Sequence, residues 1–151
     1  MLARTHLAFG FLTALIFKNI VSTGNIFIFV GLILLGSILP DVDSPQSKIV
    51  NKLPWLLKPI SMFTKHRGIF HSLTLATVFA GLIFYFISRT YGFALFLGYV
   101  SHLAIDGLTK EGVNFLHPFS KLHLSGFIET GKILEHVVLI ILIVIILLKI
   151  F

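Results

Sequence analysis

Residues Ile133 to Ile150, ILEHVVLIILIVIILLKI, decide the fold class of this chain. Glu135 and His136 stand near the start and Lys149 near the end, with an unbroken apolar run between them. That run approaches the ~20 residues a helix needs to cross the hydrocarbon core of a bilayer. Backbone N–H and C=O groups in lipid must be satisfied by a helix or a closed barrel. No alternating strand pattern of barrel type is present, so the reading is helical.

Four further apolar segments lie upstream: Leu7 to Phe17, Ile26 to Leu39, Leu73 to Ile87 and Phe93 to Ile105. Leu73 to Ile87 is nearly long enough to span; the others approach that length with their polar flanks, or in a locally thinned bilayer. Composition agrees. The chain is 56% hydrophobic and 12% charged, with a mean hydropathy of +1.00. Soluble domains are about 45–50% apolar and about 25% charged. His6 within the first segment and the lack of a convincing small-residue cleavage signal argue against a signal peptide. The expectation is one all-α domain over residues 1–151, an integral membrane bundle of about five hydrophobic helices.

If all five segments cross, one side receives Arg4, Lys48, Lys52, Lys58, Lys65, Arg67, Lys110, Lys121 and Lys132. Only Lys18, Arg89 and Lys149 fall on the other. The positive-inside rule then puts the N-terminus of this multi-pass chain in the cytoplasm and its C-terminus outside.

The polar residues fall on the same map. His6 opens the first helix, Asp41 and Asp43 close the second, and His66 and His71 open the third. His102 and Asp106 close the fourth, and Glu135 opens the fifth. All eight sit at the cytoplasmic level, although the segments were drawn from apolar residues alone. Ionisable groups beside hydrocarbon must be paired or coordinated. With no cysteine in the chain, metal ligands can only be His, Asp or Glu. The expectation is a metal site at the cytoplasmic edge.

Each motif has a plainer reading beside it. In Leu39-Pro40-Asp41-Val42-Asp43-Ser44-Pro45 the prolines stiffen the backbone around two carboxylates, which can aim at one cation or serve an Asx turn. Gly68 permits a turn that lets His66 and His71 converge, and Arg67 offers a planar fork to phosphate, while Ser72 reads as a helix cap. His102 and Asp106 share a helix face at i, i+4; they can bind one metal together, or Asp106 can orient the imidazole. Glu135 also suits the dipole of its helix start. His117, His123 and His136 are weaker candidates, and Glu129 is hard to separate from Glu135.

The ordered set Thr5-His6-Leu7, Leu39 through Pro45, His66-Arg67-Gly68 through His71-Ser72, and Gly98-Tyr99-Val100-Ser101-His102 through Asp106 resembles the YdjM-like family. Leu108 through Val113, Leu116-His117-Pro118 and Thr130-Gly131 before Leu134-Glu135 fit the same pattern. That family comprises bacterial and archaeal inner-membrane-associated proteins regarded as metal-dependent hydrolases. A fainter similarity reaches the zinc-dependent phospholipase C and single-strand nuclease superfamily, through His6, Asp41 or Asp43, His71, and His102 with Asp106. No acid follows a His by four positions except Asp106, so one or two ions fit better than a three-metal cluster.

The resemblance implies that Asp41, Asp43, His71, His102 and Asp106 hold one or two divalent cations. His6, His66 and Glu135 would be further ligands or their supports. Mixed imidazole and carboxylate ligands suit zinc first, then manganese or iron. Arg67, with Lys65 or Lys110, would neutralise a phosphate. Asp43 and His66 are the candidates for proton transfer. Such a site at membrane level implies an amphiphilic phosphate-containing substrate and membrane lipids as partners; the basic residues have no groove-reading scaffold, so nucleic acid is not expected. The competing expectation is a non-enzymatic metal-binding scaffold, with the loop around Trp55 as a docking stretch. Passage of ions is disfavoured, because the helix interiors offer little beyond Thr13, Ser37, Thr74, Thr77 and Tyr99.

Overall fold

The computed structural model describes residues 1–21, 24–43, 50–51, 68–120 and 122–151. The expectations for Lys65, His66, Arg67 and the Trp55 loop lie outside the described residues.

The five apolar segments are five helices: α1 (Ala3–Phe17), α2 (Ile26–Gly36), α3 (Leu73–Phe86), α4 (Arg89–Asp106) and α5 (Ile133–Ile150). Local chemistry sets several boundaries. Asn25 caps α2, its side chain accepting from the backbone N–H of Phe27 at 3.0 Å. The Ser72 hydroxyl caps α3 by accepting from Leu75 N at 3.3 Å. α2 stops at Gly36, short of the expected Leu39, and the chain tightens into a 3-10 turn over Leu39–Asp43. Pro40 has no N–H to offer the Gly36 carbonyl and its ring would clash with it, so the α-helix cannot run through this position. α4 begins at Arg89, a turn before the first apolar residue expected of it. A second 3-10 turn, Ile69–His71, leads into α3. Between α4 and α5 a small antiparallel hairpin pairs β1 (Val113–Asn114) with β2 (His123–Leu124). It was not expected, because two-residue strands leave no alternation to read.

α4 is the hub: it packs on α1, α2 and α3, while α5 lies against α1. Its contact with α2 is made possible by glycines. A Cβ on Gly98 would sit 2.1 Å from the carbonyl oxygen of Ile33, and one on Gly36 2.5 Å from that of Leu95. Small residues at such a crossing let two backbones touch, as in membrane bundles.

The distribution of polarity is inverted. Thr5, His6, Asp43, His71, Ser101, His102, Asp106 and Glu135 are buried, whereas Phe27, Leu82, Tyr85, Phe86, Ile140 and Leu148 are among the exposed side chains. The outer faces of α3 and α5 would be costly in water. By length, the bundle is uneven. Among the described residues only α5 is long and apolar enough to cross a membrane, and 11% of it is buried within the chain. Its 18 residues extend ~27 Å, whereas the 11 residues of α2 extend ~16 Å.

Candidate metal centre

Six polar side chains, five of them buried, meet where α1, α4 and the two 3-10 turns converge. His102 and Asp106 come from the last turn of α4, His71 from the turn before α3, Asp41 and Asp43 from the turn after α2, and His6 from the start of α1. Two sets of three could each hold a metal ion: His71, His102 and Asp106, and His6, Asp41 and His102.

The partners of the imidazoles define what the centre is. His102 Nδ1 lies 2.8 Å from the carbonyl oxygen of Ser37, which can only accept, so Nδ1 carries the proton. His71 Nδ1 likewise donates to Asp43 Oδ2 at 3.0 Å. In their neutral forms both rings then present an acceptor lone pair at Nε2. These two nitrogens face each other at 3.3 Å. Asp106 Oδ2 stands 3.5 Å from His102 Nε2 and 3.6 Å from His71 Nε2; Asp41 Oδ1 stands 3.9 and 4.0 Å from the same atoms. Four electron-rich atoms thus lie close together, and a shared proton or a cation between them would relieve their repulsion. Tetrahedral ligands at bond lengths of 2.0–2.1 Å are separated by about 3.3–3.4 Å. The two histidines and Asp106 already approach that spacing.

The supporting shell fits a metal as well. Metal-bound histidines nearly always donate their other ring N–H to a carboxylate or a backbone carbonyl, as His71 and His102 do here. His6 stacks on His102 with centroids 3.8 Å apart. It is 1% exposed, and both its ring nitrogens lack a hydrogen-bond partner among the described residues, although Nε2 comes within 3.3 Å of Asp106 Oδ1. A buried polar group in that condition is expensive unless something coordinates it. Asp106 Oδ1 is also paired with the amino group of Met1. Burial holds His71 below the ordinary histidine pKa, against the opposing pull of Asp43, and keeps it in the neutral form that binds metals. The Tyr99 hydroxyl donates to the Phe70 carbonyl at 2.5 Å, tying the turn that carries His71 to α4.

His6, Asp41, Asp43, His71, His102 and Asp106 therefore lie together, with Asp43 behind His71. Glu135 does not join them. Its Oε1 accepts from Leu2 N at 2.5 Å and Thr5 Oγ1 at 2.8 Å, and its Oε2 accepts from Gly131 N at 2.6 Å. It anchors the start of α1. Glu129 is separated from it at the surface, where pairing with Lys110 and Lys132 holds its carboxyl down at about 2. His136 contacts Arg4, and His123 contacts Asn114, away from the cluster. The carbonyl of Ser37 escaped sequence reading, because a backbone atom has no residue signature.

This is a predominantly helical protein with a membrane-length helix and a buried His/Asp cluster able to hold a metal ion. The chain belongs to the family described as YdjM inner membrane protein, which it matches over residues 1–150. Inner membrane protein YdjM of Escherichia coli (strain K12) is 34% identical over 131 residues, 78% of this chain and 66% of that protein. The uncharacterized protein YvsG of Bacillus subtilis (strain 168) is 35% identical over 112 residues, covering 70% of this chain and 67% of its own length. The chain thus spans about two thirds of the length of these relatives. No solved structure matches it.

Proposed function

We propose that this chain is a multi-pass protein of the inner membrane that uses one or two divalent ions, zinc foremost, to hydrolyse a phosphoester of a lipid or similar amphiphile. The observation that carries the reading is the convergence of the His71 and His102 Nε2 atoms with Asp106, each ring held from behind by a partner that can only accept. His71, His102 and Asp106 would hold the ion, with Asp41 and His6 completing the shell or holding a second one. A divalent ion supplies Lewis acidity toward a phosphoryl oxygen and acidifies water. Asp43 and the Ser37 carbonyl fix the ring orientations, and burial of the cluster keeps competing water out.

The exposed apolar faces of α3 and α5 support embedding of the bundle. In the sequence, nine of the twelve Lys and Arg residues flank the apolar segments on one side, which supports a cytoplasmic site and N-terminus. The short helices would be accommodated by local thinning of the bilayer around α5.

One observation favours a second reading, a non-catalytic metal scaffold: Asp41, His71, His102 and Asp106 are enough to close a tetrahedral shell. A catalytic ion keeps an open position. The test is release of phosphate or alcohol from a panel of phospholipids and isoprenoid phosphates by metal-loaded protein in detergent micelles. Turnover lost in His102→Ala supports the hydrolase. An inert panel at full metal occupancy rejects it in favour of the scaffold.

A further inference from the structure

Beside the start of α5 the structure has a cavity of about 880 Å³ to which the metal centre contributes no residue. Its floor is apolar, from Phe127, Ile133, Leu134, Val137 and Ile140. Its rim is charged, from Lys110, Glu129 and Lys132, with His136 beside them. Glu135 does not reach it. That side chain is buried against α1, while its neighbours Leu134 and His136, about 100° round the helix on either side, line the cavity.

The rim has a defined charge. Lys110 and Lys132 share one carboxylate, Glu129. His136 Nδ1 donates to the Lys132 carbonyl at 2.9 Å, so its Nε2, 2.6 Å from Arg4 Nη2, accepts from the guanidinium and the ring is neutral. These groups therefore carry three cations against one anion. Surface pairs of this kind are weak and exchange readily, so both lysines can turn to another anion.

The floor says what kind of anion. Val137 and Ile140 lie on the outward face of α5, which among the described residues is the helix long and apolar enough to cross a membrane, and that face continues through Ile141 and Val144. A free phosphate would satisfy the rim and leave the floor bare. A phospholipid satisfies both, headgroup at the lysines and acyl chain along the helix. We propose that this cavity binds the anionic headgroup of a membrane phospholipid, with one acyl chain laid against Val137 and Ile140. The proposal rests on the membrane reading above and is independent of hydrolysis.

The test uses the full chain, delipidated in neutral detergent and titrated with dioleoyl-phosphatidylglycerol or dioleoyl-phosphatidylcholine, with bound lipid counted by native mass spectrometry. The expected preference for phosphatidylglycerol is about tenfold, from two lysines near the headgroup partly offset by Glu129. The double variant Lys110→Gln/Lys132→Gln should lose it, Lys110→Arg/Lys132→Arg should keep it, and Glu129→Gln should strengthen it. All three should keep the metal content of the parent, which separates this site from the metal centre. Equal affinity for the two lipids overturns the proposal, as does a preference that survives Lys110→Gln/Lys132→Gln. Competition by inorganic phosphate as effective as by the lipid would also overturn it, reducing the site to a simple anion pocket. Recovery of the protein in the soluble fraction without detergent would overturn the membrane reading itself.

Discussion

Replacing Gly98 by alanine should disable the metal centre without touching any ligand. The new Cβ would lie 2.1 Å from the Ile33 carbonyl oxygen, where ordinary contact begins at 3.4 Å. Because the obstacle is backbone, no side chain can swing aside, and α2 and α4 must separate by about 1.3 Å. His102 lies one turn beyond Gly98, and the Ser37 carbonyl that holds it lies one turn beyond Ile33. The same displacement therefore opens the 2.8 Å bond between them. Overpacking costs about 1–3 kcal/mol, and a buried donor left without its acceptor costs about 1–3 kcal/mol more. The combined loss, about 2–6 kcal/mol, is a large part of a typical stability of about 5–15 kcal/mol. Even a folded variant would misplace an imidazole, since coordination distances tolerate only about 0.2 Å. Gly81→Ala is the control, because nothing lies within 4 Å of its added Cβ. Thermal melting in detergent and a zinc titration should show Gly81→Ala like the parent, and Gly98→Ala destabilised and unable to bind stoichiometrically. A Gly98→Ala variant with the parent's melting temperature and zinc affinity would refute the idea that this helix crossing sets the position of His102.

Three further outcomes are expected. Asp43→Asn removes the carboxylate behind His71 while conserving its shape, so zinc affinity should fall about 10–100-fold in a chelator competition with the fold retained. Glu135→Gln should lower the melting temperature, because the charged acceptor of Leu2, Thr5 and Gly131 is lost, yet leave metal stoichiometry unchanged; metal loss in a folded Glu135→Gln would restore it as a ligand. Glu129 has its carboxyl lowered from 4.5 to about 2, first by Lys110 and then by Lys132. A depressed acid stabilises the fold above its unfolded value, so this contribution, small because the pairs are exposed and screened, should be present above pH 4.5 and fade as pH falls toward about 2. Melting curves against pH should show a shallower acid limb in Glu129→Gln; an unchanged limb would remove the pair from the stability of the fold.

The helices were legible because each is a nearly continuous apolar run, a signal that survives without amphipathic periodicity. Their ends were less so: Gly36 ends α2 and Arg89 starts α4 through backbone geometry and not through a change in hydropathy. Length mattered too, since α2 has a membrane helix's composition in too few residues to span by itself. At the site, His102 and Asp106 could be paired from their i, i+4 spacing, and the shared depth of His6, Asp41, Asp43 and His71 pointed to the same place. Sequence could not rank them. Asp43 and His71 are 28 residues apart, and only the folded chain shows that the carboxylate backs the ring instead of joining it. Glu135 misled because depth along a helix does not fix rotation about it, and the packing of α5 on α1 turns it toward Thr5.

The central claim is that the lone pairs gathered at His71, His102 and Asp106 surround a metal ion. The most direct measurement is the metal content of detergent-purified protein beside His102→Ala and Asp106→Ala. The expected result is stoichiometric zinc, manganese or iron in the parent, lost in both variants while their helical content is kept. No bound metal in the parent, even after reloading, with both variants folded like it, would contradict the account.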